Sequence, residues 1–221
     1  PKTSSAASDV YKRQSLHEIK DMRTAPIVAL CAAALSTSTF ADSVELTLQG
    51  VGAGRVVRVH SDDTGTLDVF AGQLHHAGRN ADDSLADFNG GFIGFCVELA
   101  QYVAPTWSTF ERIDVEDGPN SAPMETARAD AVRDLFGVAD GRQYDDDAYD
   151  FAAAFQLALW EVVNDYDGSA GSLDVDDGAF RAHGAWGSEL PNGVRSHLDE
   201  LFLGIGGDRS HAGVFVLSNG G

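Results

Sequence analysis

The sequence predicts an α+β domain: an antiparallel β-sheet or barrel core with about three packed helices, one of them carrying a Gln-x-x-x-Trp motif. Two observations predict it. Alternating strand-like segments lie towards both ends of the chain, and helical periodicity is concentrated between them. Size agrees, because residues 42–221 suffice for one domain with a real core and are too few to force two.

Residues 43–48 alternate polar and apolar, the period of a half-buried strand. Gly50, Gly52 and Gly54 predict a turn before a second strand over 55–60. The run Ser61-Asp62-Asp63-Thr64-Gly65 is turn chemistry ahead of a short strand over 66–70, and 80–87 reads as a polar loop. Gly90-Gly91 precedes a β-branched and aromatic run over 92–103 that holds Cys96. Pro123 near the start and Gly137 after the end predict a helix closing at Phe136. Asp145-Asp146-Asp147 favours the positive end of a second, stronger helix through about Asn164. Residues 168–177 form a Gly/Ser/Asp loop, a third helix covers 194–203, and the last strand is 214–217.

The first residues do not read as part of this fold. Asp9-Val10-Tyr11-Lys12-Arg13-Gln14 resembles the translation of a transposon end used in sequencing-library preparation, so 1–21 reads as non-native sequence. Met22-Arg23, an apolar stretch over 25–35 and small residues up to Ala41 predict a signal peptide over 22–41, cut after Ala41. The apolar stretch is too short to span a bilayer. Cys31 lies inside this leader and leaves with it. The strand-like run before Ser218-Asn219-Gly220-Gly221 stops in mid-turn, and the native protein is expected to continue.

Of the 34 acidic residues, 31 follow the predicted cut; of the 15 basic ones, 10 do, and all ten are Arg. The mature net charge is therefore near −21, with no lysine after Lys20. Such a surface argues against nucleic-acid binding and against docking by charge on anionic membranes.

The chemistry-bearing residues are Cys96, in Gly94-Phe95-Cys96-Val97-Glu98-Leu99, and Gln156, inside the apolar run Phe151-Ala152-Ala153-Ala154-Phe155-Gln156-Leu157-Ala158-Leu159-Trp160-Glu161. With the leader gone, Cys96 is the one cysteine left, so no internal disulfide explains it. Burying Gln156 is costly unless its amide finds a partner. If the two meet, the thiol can displace ammonia from the carboxamide and form an internal Cys–Gln thioester. Strand alternation puts Cys96 and Glu98 on one face. On the helix, Gln156, Trp160 and Val163 share a stripe at i, i+4 and i+7, beside the apolar stripe of Phe151, Phe155, Leu159 and Val162. Glu98 and Glu161 are the carboxylates expected to orient the amide or move protons, and Trp160 to shield the bond.

Phe95-Cys96-Val97-Glu98-Leu99 and Phe155-Gln156-Leu157-Ala158-Leu159-Trp160-Glu161 resemble the paired Cys and Gln motifs of bacterial surface thioester domains. They resemble most the versions found in exported Gram-negative proteins that end in a PEP-CTERM sorting signal, where an aromatic-Cys-Val/Ile-Asp/Glu motif precedes a Gln-Leu-Ala-Ile-Trp-Glu helix. The resemblance spans residues 90–164; Leu159 stands where Ile is usual and Glu98 where Asp is common. It implies that Cys96 carries the thioester sulfur and Gln156 the acyl group. It also implies a secreted, surface-attached adhesion protein associated with exopolysaccharide. Such a protein would use no cofactor and would form one covalent bond to a nucleophile on a surface protein or polysaccharide. That is single-turnover attachment rather than enzymatic turnover, with membrane contact only through a C-terminal anchor.

Two rival functions use the same residues. One is a non-covalent structural surface protein in which Cys96 is a buried small hydrophobe. The other is an acyl transferase with Cys96 as nucleophile, which requires a base from His60, His75 or His211. Other constellations are weaker. His75-His76 reads as a solvated loop pair, since no third ligand has metal spacing. Val163 breaks the calcium pattern ahead of Asp165-Tyr166-Asp167-Gly168, and Asp174-Val175-Asp176-Asp177-Gly178 reads as a hydrated acidic turn. Trp107, Trp160 and Trp186 are expected in the core. No phosphate loop, serine-hydrolase elbow or zinc-protease motif is present in the sequence.

Overall fold

The computed structural model describes residues 28–30, 42–100, 105–119 and 122–219. Its dominant local feature is a long antiparallel hairpin of β2 (Ser43–Ser61) and β3 (Gly65–Arg79), preceded in the chain by β1 (Val28–Leu30). The tight turn uses Gly65 at φ 69°, a conformation that costs glycine no Cβ strain. The remaining strands are β4 (Gly90–Cys96), β5 (Ser108–Ile113), β6 (Phe180–Gly184) and β7 (Phe215–Ser218). The helices are α1 (Glu125–Ala139), α2 (Tyr149–Asp165) and α3 (Asn192–Gly204). The architecture is α+β.

β2 is the spine of the sheet. It pairs antiparallel with β3 along its length, with β5 over Ser43–Leu46 and with β6 over Val57–Ser61. β4 adds to β3, and β7 to β5, both antiparallel. The six strands other than β1 do not close into a barrel, because β4 and β7 do not pair with each other. The three residues of β1, from the middle of the predicted leader, lie between them and parallel to both. The rest of that leader, Cys31, residues 1–21 and the end of the predicted 92–103 strand fall outside the described residues.

Several boundaries differ from the sequence reading, each for a local reason. Gly50, Gly52 and Gly54 do not turn the chain; β2 runs through them with register shifts between Leu48 and Gly50 and between Val51 and Gly54. There the hairpin strands approach closely. A Cβ on Gly54 would strike the Ala71 carbonyl, and one on Gly72 the Ala53 carbonyl. Gly137 does not end α1, which continues to Ala139 and closes at Asp140 in the left-handed conformation, φ 48°. Gly137 is small because Arg209 crosses it and leaves no room for a Cβ. The three aspartates precede α2, which starts at Tyr149. The polar stretch after Asn80 contains a 3-10 turn, Asp83–Phe88, whose Leu85 and Phe88 are buried. β5 carries no clear alternation and β6, which does alternate, is only five residues long; the sequence reading places neither.

Burial divides into two clusters. The larger lies between the sheet and the helices and includes Val57, Val59, Phe95, Leu135, Phe136, Phe155, Leu159 and Leu201. The smaller lies near β4, β5 and β7, where Phe88 meets Phe92 and Phe215 edge-on at 4.9 and 5.6 Å. His75 and His76 are not a loop pair. They belong to β3, where His76 is 3 % exposed and stacks on Phe92 at 5.3 Å. Of the tryptophans, only Trp160 is a core residue; Trp107 is 41 % and Trp186 78 % exposed.

The close approach at Gly72 is testable. Gly72→Ala should destabilise the fold by about 1–3 kcal/mol, read as a lower denaturant midpoint, whereas Gly50→Ala, where a Cβ meets nothing, should be nearly neutral.

Candidate functional site

α2 places Gln156 in the core because the helix is apolar around nearly its whole girth; every residue from Phe151 to Val163 is buried. β4 meets it end-on. Phe95 packs on Phe155 at 4.8 Å between ring centres, which brings the next residue of each element into register. Cys96, the last residue of β4, then meets Gln156 across sixty positions of sequence. The Cys96 N–H donates to Gln156 Oε1 at 2.9 Å, and Gln156 Nε2 donates to the Cys96 carbonyl at 2.6 Å. The carboxamide thus offers Cys96 an acceptor and a donor at the spacing of a peptide group and serves as its neighbouring strand.

The thiol has its own contact. Because β4 ends at Cys96, residues 97–98 leave strand geometry, and the alternation that would align Cys96 with Glu98 does not apply. The Glu98 backbone carbonyl curls back instead to accept the Cys96 S–H at 3.0 Å. At the thiol Glu98 contributes its main-chain carbonyl. Closing an S–C bond to Gln156 Cδ requires the sulfur to leave that carbonyl.

Glu161 is not beside the pair. Five residues along a helix is about 140° of rotation from Gln156, and the carboxyl faces the loop after α2. It is wholly buried; Oε1 accepts from the Asp174 N–H at 2.8 Å, and Oε2 has no hydrogen-bond partner among the described residues. Burial, with Asp165 and Asp174 nearby, pushes its pKa up to about 8. Trp160 is 2 % exposed, with its ring centre 6.3 Å from that of Phe180 on β6. Of the five predicted site residues the structure joins Cys96 and Gln156, through the Cys96 main chain and the Gln156 carboxamide, and Glu98, through its backbone carbonyl on the Cys96 thiol.

The other candidates have structural partners. His60 Nδ1 lies 3.1 Å from Thr66 Oγ1, His75 Nε2 lies 3.4 Å from Gln73 Oε1, and His211 Nδ1 accepts from the Gly213 N–H at 3.2 Å. None of these rings addresses Cys96. Asp165 accepts the N–H groups of Ala179 and Phe180, and Asp176 is forked by Arg195. These carboxylates organise the loop. No group of three or more His, Cys, Asp or Glu side chains among the described residues is arranged to hold a metal ion. No family model, curated protein or solved structure matches this chain.

Two outcomes test this geometry. Gln156→Ala leaves the Cys96 N–H and carbonyl without their partners and should cost about 2–3 kcal/mol in chemical denaturation. Glu161 gives a pH signature. Its folded pKa is raised from 4.5 to about 8, so the folded state holds an extra proton across that window and stability falls as pH rises through it. His76 opposes this at low pH, because burial lowers its pKa from 6.5 to about 4 and stability is lost as pH falls through that range. The Glu161 slope should therefore stand alone between pH 6.5 and 8, at up to about 1.4 kcal/mol per pH unit, and Glu161→Gln should flatten it.

Proposed function

We propose that this chain is the thioester-type domain of an exported surface protein, which attaches covalently to its target through an internal bond between Cys96 and Gln156. The observation that carries the reading is the hydrogen-bonded apposition of the Gln156 carboxamide and the Cys96 main chain.

That apposition suits the chemistry. The Cys96 N–H already donates to Gln156 Oε1, the oxygen on which charge develops when sulfur attacks Cδ, so it acts as an oxyanion donor. The Cys96 carbonyl holds Nε2, the leaving nitrogen. In the forming step the Cys96 sulfur bonds to Cδ and the Cδ–Nε2 bond breaks. The thiol proton goes to nitrogen, and ammonia departs. In the attaching step an amine on the target bonds to Cδ, the C–S bond breaks, and the amine proton returns to the sulfur. Each domain reacts once. The buried wall of α2 around Gln156, at 1 % exposure, limits attack by water before the target arrives.

A second reading keeps the fold without the bond, and one observation favours it: both polar atoms of the Gln156 amide are satisfied by Cys96 main chain, which accounts for a buried glutamine with no reaction. The two separate cleanly by mass. Under the thioester reading the purified protein should weigh one ammonia less than its sequence and gain one methylamine on treatment, and Gln156→Ala should make Cys96 alkylatable. A full sequence mass, unchanged by methylamine and with an alkylatable Cys96 in the native protein, would leave only the structural role.

A further inference from the structure

The outer face of β2 and β6 differs in character from the rest of the molecule. Alternation along β2 buries Val57 and Val59 in the core under α2 and turns Val56, Arg58 and His60 the other way. β6 continues the pattern. His183 stands opposite Arg58 and Arg181 opposite His60, while Ala182 between them is buried. Four cationic or potentially cationic side chains thus share one face of a chain whose formal net charge is −19. Each of these groups except Arg181 has an acid beside it; for His183 it is Asp176, which Arg195 also forks. Asp68 is forked by Arg58 at 2.8 and 2.9 Å, and Asp62 at the hairpin turn lies 3.8 Å from His60. Arg181 has no carboxylate within ion-pair distance among the described residues.

An aromatic side chain completes the face. The turn Ala185–Gly187 follows β6 and lies over Arg58, whose Nη1 would be 3.4 Å from a Cβ on Gly187. The Gly184 N–H donates to the Ser188 carbonyl at 2.7 Å and the Ser188 N–H to the Ala185 carbonyl at 3.3 Å, fixing the turn. Trp186 at its tip is 78 % exposed and left-handed, at φ 61° and ψ 20°. A residue with a Cβ is strained there, and a large indole gains nothing from solvent. Packing explains neither property.

We infer that this face is a docking surface for an acidic polysaccharide, with Trp186 stacked on a sugar ring and Arg181, flanked by His60 and His183, receiving uronate carboxylates. An indole offers a flat apolar platform, and a guanidinium not engaged by a protein acid pairs a carboxylate through two parallel hydrogen bonds. The β2–β6 ladder, five residue pairs from Val57 to Ser61, matches the span of a short oligosaccharide. Elsewhere the acidic surface repels a polyanion, which confines approach to this side. This recognition is non-covalent and does not depend on the Cys96–Gln156 bond, so it stands or falls apart from the mass measurement.

The test is calorimetric titration of the full chain with oligogalacturonate, beside a neutral galactan oligosaccharide and poly-glutamate. Oligogalacturonate should bind saturably, the neutral glycan and the peptide far more weakly. Arg181→Ala and Trp186→Ala should each weaken binding about tenfold or more, and Leu203→Ala, on exposed α3 surface, should leave it unchanged. Trp186→Gly guards against misfolding as an explanation. Glycine relieves the left-handed strain, so this variant should melt at or above the parent temperature and still lose binding. The inference is overturned if oligogalacturonate does not bind, if the neutral glycan binds equally, or if Arg181→Ala and Trp186→Gly bind as the parent does. Equal binding of poly-glutamate overturns it in favour of an acidic protein partner.

Discussion

The constraint on which the rest of this fold depends is the burial of α2 from Phe151 to Val163. A helix enclosed by a sheet and two neighbouring helices must satisfy each of its polar side chains inside the protein, since water reaches none of them. α2 carries two such groups, Gln156 and Glu161, with the half-buried Asn164 after them, and each is resolved differently. Gln156 takes the main chain of Cys96; Asn164 turns back to the Trp160 carbonyl at 2.7 Å; Glu161 takes one loop N–H and is held largely protonated by burial. The first of these ties β4 to the helix, and the third ties the loop after α2 to it. The sheet and the loop are thereby positioned by the polar exceptions in an apolar helix rather than by its apolar surface alone.

That arrangement explains why Cys96 stands where it does. A strand that continued past Cys96 would need a further ladder partner, and the carboxamide supplies only one peptide-like group. β4 therefore stops, Val97 turns into the core, and the chain bends enough for the Glu98 carbonyl to reach the thiol. The hydrogen bonds that complete the ladder also hold the carboxamide against the residue bearing the sulfur. Structural and reactive roles for Gln156 thus share one ground-state geometry and differ only in whether the sulfur replaces the nitrogen on Cδ.

Much of this was legible in the sequence where a single periodicity decides the outcome. The 3.6-residue pattern of α2 is strong enough to show both that the helix is buried and that Gln156 is an anomaly within it. Cys96 could be placed on a strand but not at its end, because the stop is set by a tertiary partner sixty residues away. The glycines of β2 signal a turn and a bulge with equal force; only the presence of β3 across the whole length selects the bulge. Glu161 was assigned to the site by proximity in sequence, although 140° of helical rotation separates it from Gln156. Trp186 was expected in the core because its residue type usually is, and no local pattern announces a left-handed turn. The cationic face did leave a trace, Arg58-x-His60 matched by Arg181-x-His183, but the two pairs are joined only by the β2–β6 register.

The distribution of cations bears on both proposed properties. After residue 41 the chain uses arginine alone, and six of those ten side chains are held in ion pairs with Asp or Glu. Guanidinium remains protonated at any physiological pH and is a poor nucleophile, so these residues neither attack an acyl group nor lose their charge. A domain holding an internal acyl donor gains from that choice, since no lysine amine of its own competes with the target. The same choice shapes the outer face of β2 and β6, where Arg181 keeps a planar, permanently charged fork available to a carboxylate. Lysine there would supply the charge but also an amine. Arginine supplies the charge without an amine that could consume an acyl donor.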